Sequence, residues 1–144
     1  MATREQVAEA LLAAVKAVGY FKQTGRRARA PAAIGPDQSP ACFLVVSDEQ
    51  IVAESPAKPP RRTLLFTAFV YNDIGADPNA YPETALNNAM EALERALAPD
   101  NDTLRACTLG GLVFAALLRG RVRRAPAELT GKALALVPIE VVIP

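Results

Sequence analysis

No histidine occurs in this chain. Ser-His and Cys-His catalysis and every histidine-bearing metal site are thereby excluded, which removes most hydrolases and many metalloenzymes. Cysteine is nearly as scarce. Cys42 and Cys107 each sit in an apolar segment, the pattern of small buried hydrophobes rather than of a disulfide framework or a metal site. Phosphate-loop glycines are missing too: Gly110-Gly111 and Gly131-Lys132 lack the frame that ends in Lys-Ser or Lys-Thr, and no GxGxxG follows a strand. The acidic pairs Asp48-Glu49 and Asp100 with Asp102 lie in turn-like contexts, where Asp bonds the local backbone rather than forming a catalytic carboxylate pair. Asn101-Asp102-Thr103 matches a glycosylation acceptor but has no secretory context. No enzymatic activity, cofactor or metal is expected.

Charge of one sign is also lacking. Lys and Arg total 16 against 15 Asp and Glu, a net charge of +1 that calls for neither nucleic acid nor membrane. The aliphatic runs are too short or interrupted to span a bilayer, and Arg4, Glu5, Glu9 and Lys16 spread around a helix where a signal peptide would segregate charge. A cytoplasmic site of synthesis and assembly follows. What is abundant is apolar surface: 51% hydrophobic and 22% charged residues over 144 positions fit one globular domain covering 1–144.

Thr3 and Gln6 form a capping-box pattern ahead of Val7, Leu11, Val15 and Val18, predicting a helix over Arg4 to Val18 that ends at Gly19, with Tyr20 making the closing hydrophobic contact. A short strand is expected at Tyr20 to Lys22, then a long loop from Gly25 to Pro40 rich in Arg, Pro and Gly. Ala41 to Val46 reads as a strand, Ser47 to Gln50 as a turn, and Ile51 to Ala53 as a further strand. Pro56, Pro59 and Pro60 with Lys58, Arg61 and Arg62 make a stiff connector before the strand Thr63 to Tyr71. Both loops are expected to be mobile in a free subunit and to order on a partner. Asp77-Pro78-Asn79 reads as a turn, Pro82 to Ala98 as a second amphipathic helix, and Asp100-Asn101-Asp102 as the turn into Leu104 to Cys107. Two final strands are predicted over Leu109 to Arg123 and Lys132 to Ile143, with Pro138 favouring an edge or bulge. The fold class is α+β: a mainly antiparallel sheet, two amphipathic helices on one face, and long Pro-rich loops.

Alternation in Thr63 to Tyr71 places Leu64, Phe66, Ala68 and Val70 on one face and Leu65, Thr67, Phe69 and Tyr71 on the other, so both faces are apolar. Past Gly111, Leu112, Phe114, Ala116 and Leu118 are expected against the helices and Val113, Ala115 and Leu117 opposite. Two helices cover one face only, so the second is expected to meet a further copy of the chain or to be covered by the long loops. Arg119, Arg121 and Arg123 continue that face as a basic stripe, with Arg124 turned away; the stripe suits phosphates or an acidic neighbour, or else guards a strand edge, and a bulge at Gly120 would shift the alternation. The candidate interface is Leu65, Phe69, Tyr71, Val113, Leu117, Arg119, Arg121 and Arg123. Arg26, Arg27 and Arg29 read as a solvated loop.

Several stretches carry a resemblance to a known family. They are the opening helix ending in Val18-Gly19-Tyr20, the segments Ala41 to Val46 and Thr63 to Tyr71, the helix with Ala85-Leu86-Asn87 and Leu93, then Thr108-Leu109-Gly110-Gly111-Leu112-Val113 and Leu136-Val137-Pro138-Ile139-Glu140-Val141. In these stretches and their order the chain resembles the tail terminator (tail completion, minor tail protein U-like) family of long-tailed bacteriophages. The resemblance implies a virion structural protein at the head-proximal end of the tail. It would form a hexameric ring that caps the tail tube, ends polymerisation and joins the tail to the head. The implied partners are further copies of itself, the tail tube protein and the head-side connector or neck protein, with DNA only passing through the ring lumen. Members often carry acidic residues along the penultimate strand, where this chain has Arg119, Arg121 and Arg123. A head-completion or neck protein of the same virion is the nearest alternative, and a small nucleic-acid-binding module using the arginines a more distant one.

Overall fold

The computed structural model describes residues 2–75, 79, 81–125 and 132–143. The first helix, α1 (Arg4–Ala17), begins where the capping box places it: Thr3 Oγ1 accepts from the Gln6 N–H at 3.1 Å and the Thr3 N–H donates to Gln6 Oε1 at 2.9 Å. Its apolar stripe of Val7, Leu11 and Val15 is fully buried. The helix stops one residue short of Val18, and Gly19 takes a φ of +75°, a backbone state that favours glycine. Tyr20 packs against the core and stacks edge-on with Phe21 at 5.0 Å.

The expected strand at Tyr20 to Lys22 lies later, as β1 (Gln23–Gly25). The following loop holds two short 3₁₀ turns, Pro31–Ala33 and Pro36–Gln38, and is tied down along its length. Arg26 forms ion pairs with Glu5 and, at 2.9 Å, with Glu9; the Arg29 carbonyl accepts from the Tyr71 hydroxyl at 2.7 Å; Lys132 Nζ donates to the Pro31 carbonyl at 2.7 Å. Arg26 is thus not the merely solvated side chain expected from sequence, because Glu5 and Glu9 of α1 pair with it.

The largest departure is in β2 (Ala41–Val52), which runs straight through the predicted turn at Ser47 to Gln50. Ser47 is extruded as a bulge between Val46 and Asp48, and its hydroxyl donates to the Leu65 carbonyl at 2.9 Å. Pairing with the long β3 (Arg61–Asp73) supplies a ladder that outweighs the local turn preference of Ser-Asp-Glu. Asp48-Glu49 is therefore strand, not turn, and Glu49 pairs with Arg4. The second helix, α2 (Pro82–Ala96), starts on proline as expected and ends two residues early. The Asp77-Pro78 turn and Gly131 lie outside the described residues.

The predicted long strand over Leu109 to Arg123 does not exist. Thr108 to Val113 is a turn in which the Gly111 and Val113 N–H groups both bond to the Thr108 carbonyl, at 3.1 and 3.0 Å. Only Ala115–Leu118 (β4) and Arg123–Ala125 (β5) are strand. Between them Gly120 has a φ of +119°, and a Cβ there would stand 3.1 Å from the Pro138 ring. Pro138 sits in an interior strand, β6 (Lys132–Ile143), rather than at an edge. Its carbonyl accepts from the Arg119 N–H at 3.3 Å, so the missing N–H faces the same side. The ladder breaks opposite the one residue of β6 that cannot donate.

The sheet order is β1-β2-β3-β6-β4, with β5 also on β6 below β4. Only β1 and β2 pair in parallel; the remaining neighbours are antiparallel, and with two helices on one side the fold is α+β. Leu64, Phe66, Ala68 and Val70 of β3 and alternate residues of β6 from Ala133 to Ile143 form the core beneath the helices, with Leu86, Ala89 and Leu93 of α2 above them. Fully burying a side chain such as Phe66 contributes about 1.5–3 kcal/mol.

Candidate functional site: the open face of the sheet

Cross-strand pairs share a face, so the register defines the side opposite the helices row by row. Leu65 stands between Asp48 and Glu140, with Leu117 beyond Glu140; Thr67 stands between Val45 and Pro138; Phe69 stands between Phe43 and Leu136, with Arg123 beyond. Leu65, Thr67, Phe69, Leu117, Leu136 and Pro138 are all half-buried. Neither helix reaches them. Part of this side is covered by the chain itself: Ile34 of the tethered loop is buried on a small second cluster with Ala41, Phe43 and Tyr71, against which Phe69 and Leu134 pack. Loop cover therefore closes the end near β1 and leaves the middle and the β4 end open.

Not every predicted interface residue lies on this surface. Tyr71 is only 4% exposed, shut in by Ile34 and bonded to the Arg29 carbonyl. Val113 is also 4% exposed and belongs to the core under the helices, because the Thr108 turn swings it inward instead of alternating it with Leu117. Its expected opposites fare differently as well: Ala116 is buried as predicted, but Phe114 is 55% exposed. Leu65, Phe69 and Leu117 do come together with the basic group. Arg119 pairs with Glu140 at 3.5 Å on the open face, while Arg121 and Arg123 are exposed and have no ion pair among the described residues. Arg124 points the other way, as predicted, and donates to Asn87 Oδ1 of α2 at 2.7 Å. Glu140 was missed as a member of the site; the alternation of Lys132 to Ile143 places it outward, among residues that are apolar on both sides.

Asp100 holds the turn that aims β4. Its carboxylate accepts from the Gly110 N–H at 2.9 Å and from the Thr108 N–H and hydroxyl at 2.6 and 2.8 Å. These bonds, that of Gly110 first, hold its carboxyl below the usual carboxylate range. Both cysteines are free and buried; burial pushes the Cys42 thiol up to about 12 and raises that of Cys107 as well. Among the described residues no group of three or more Cys, Asp or Glu is placed to hold a metal ion, and no helix is long and apolar enough to cross a membrane. The arrangement on the open face offers apolar contact area beside charge.

No protein-family model matches this chain, and no curated protein does. Among solved structures, a chain of the virion of a native gene transfer agent particle is similar, with a TM-score of 0.51 and 15% sequence identity over 99% of this chain and 94% of that chain. At that identity the likeness is one of fold.

Proposed function

We propose that the chain is a structural protein of a virion, and within it a tail terminator: a hexameric ring on the head-proximal end of a tail tube that stops tube growth and presents the surface for head joining. The observation that carries this reading is the second face of the sheet. Leu65, Phe69 and Leu117 lie half-exposed beside Arg119 and Arg123, a surface that a monomeric antiparallel sheet would ordinarily present as polar. The fold likeness to a virion chain spans nearly the whole protein and supports the same class. The chain has no histidine for the commonest hydrolytic centres, which is in keeping with a structural role.

The test is negative-stain imaging and light scattering of the purified protein, alone and mixed with tubes of its cognate tail tube protein. Rings, or tubes capped at one end, are the expected result. Monomers that never bind a tube end the proposal, and capture of portal or adaptor protein without tube binding moves the chain to the neck.

A further inference from the structure

The ring reading requires a head-to-tail contact built from two different patches, and the molecule carries two charged surfaces of opposite sign on opposite flanks. One is a groove of about 510 Å³ beside the outer edge of β1, lined by Gln23, Thr24, Arg27, Arg29 and Ala33 and floored by Phe43. Arg26 is engaged by Glu5 and Glu9, whereas Arg27 and Arg29 are exposed and have no acidic partner among the described residues. The groove is held in shape: the Arg29 guanidinium lies 5.7 Å from the centre of the Phe43 ring and its carbonyl is fixed by Tyr71.

The other surface is the outer side of α2. Glu83, Glu91 and Glu94 are exposed and, among the described residues, unpaired. At 3.6 residues per turn, positions 83, 87, 91 and 94 fall within about 80° of arc, a single acidic stripe. Asn87 in the middle of that stripe receives Arg124 of β5, which places α2 at the flank of the sheet away from β1. Apart from Arg124, which reaches Asn87 within the stripe, charges of each sign are thus left without ion pairs, among the described residues, on separate flanks of a chain whose net charge is only +1.

We propose that adjacent copies of this chain join by seating the Glu83–Glu91–Glu94 stripe of one copy in the Arg27–Arg29 groove of the next. The inference rests on the ring reading and assigns the lateral contact within it, leaving the open sheet face for the tube or the connector. The stripe sits on a helix, and the groove sits on a loop tied to α1 through Arg26 and to Tyr71 through the Arg29 carbonyl, so the ordering cost that opposes their contact is reduced. Because the patches differ and lie on opposite flanks, the contact repeats head to tail instead of pairing two copies face to face, the type of contact a ring is built from.

The experiment uses the full chain in three charge-reversed forms: Arg27→Glu with Arg29→Glu, Glu91→Arg with Glu94→Arg, and all four together. Light scattering reads assembly, circular dichroism confirms folding, and filter binding to duplex DNA is run in parallel. Each double reversal is expected to raise the dissociation constant for self-assembly roughly tenfold or more, and the fourfold form to restore it. If the unaltered protein forms rings and both double reversals form them equally well, this contact is wrong while the ring stands. An unaltered protein that makes no rings removes both. Loss of DNA binding by the arginine reversal, with rings unaffected, overturns the proposal in favour of a nucleic-acid groove.

Discussion

Asp100 and Thr108 are locked together by two hydrogen bonds to one carboxylate oxygen, from the Thr108 N–H at 2.6 Å and its hydroxyl at 2.8 Å. With the Gly110 N–H on the second oxygen, the pair sets the direction in which the chain enters β4. The folded carboxyl is held below its ordinary range, so its contribution to stability is complete above the unfolded carboxylate value and fades as pH falls through the folded one. Asp100→Ala is expected to lower Tm at neutral pH, with the gap to the unaltered protein narrowing in acid. Thermal melts of both proteins across the acid range check this, and a gap that widens in acid contradicts it.

Gly120 provides a second test of the same edge. Its φ of +119° and the 3.1 Å approach of a Cβ to Pro138 make Gly120→Ala destabilising by about 1–3 kcal/mol. Chemical denaturation should show a lower midpoint. An unchanged midpoint would mean that β4 and β5 can join into the single strand expected from sequence.

The thiols should report on global opening. Cys42, pushed up to about 12, and the buried Cys107 are expected to resist a thiol-reactive dye in native protein at pH 8 and to react fully in denaturant. Rapid labelling of the native chain would contradict the buried positions.

Core and open face should separate in their effects. Phe66→Ala removes a side chain that is 2% exposed under the helices and is expected to cost about 3–5 kcal/mol. Leu65→Lys, one position along and on the open face between Asp48 and Glu140, should leave folding nearly intact while reducing assembly or tube capping. Denaturation curves beside light scattering distinguish the two, and a Leu65→Lys protein that assembles normally argues against the open face as a contact.

Arg121→Glu reverses an exposed charge with no ion pair among the described residues. Assembly or tail completion should weaken without change in subunit stability. An unaltered oligomer and unaltered tails would remove the arginine stripe from the interface.

The elements readable in advance are those whose signal is local. The Thr3–Gln6 cap, the Gly19 stop, the proline start of α2 and the period-two face of β3 are each decided by neighbouring residues, and they appear within one or two positions of expectation. The candidate site was partly legible for the same reason: Leu65 and Phe69 follow from alternation, and so does the opposed direction of Arg123 and Arg124.

Sequence by itself thus determined the α+β class, the two helices, the apolar character of both faces of β3 and the lack of histidine-based chemistry. Tertiary structure decided the rest. Partner strands carried β2 through a turn-like Ser-Asp-Glu, because a long ladder on β3 outweighs local preference. The missing N–H of Pro138 split the penultimate strand at Gly120, and the Asp100-held turn sent Val113 into the core. Ile34, far from Tyr71 in sequence, buried it by folding across the sheet. Each outcome depends on groups brought together from distant positions, and no window of neighbouring residues contains that information.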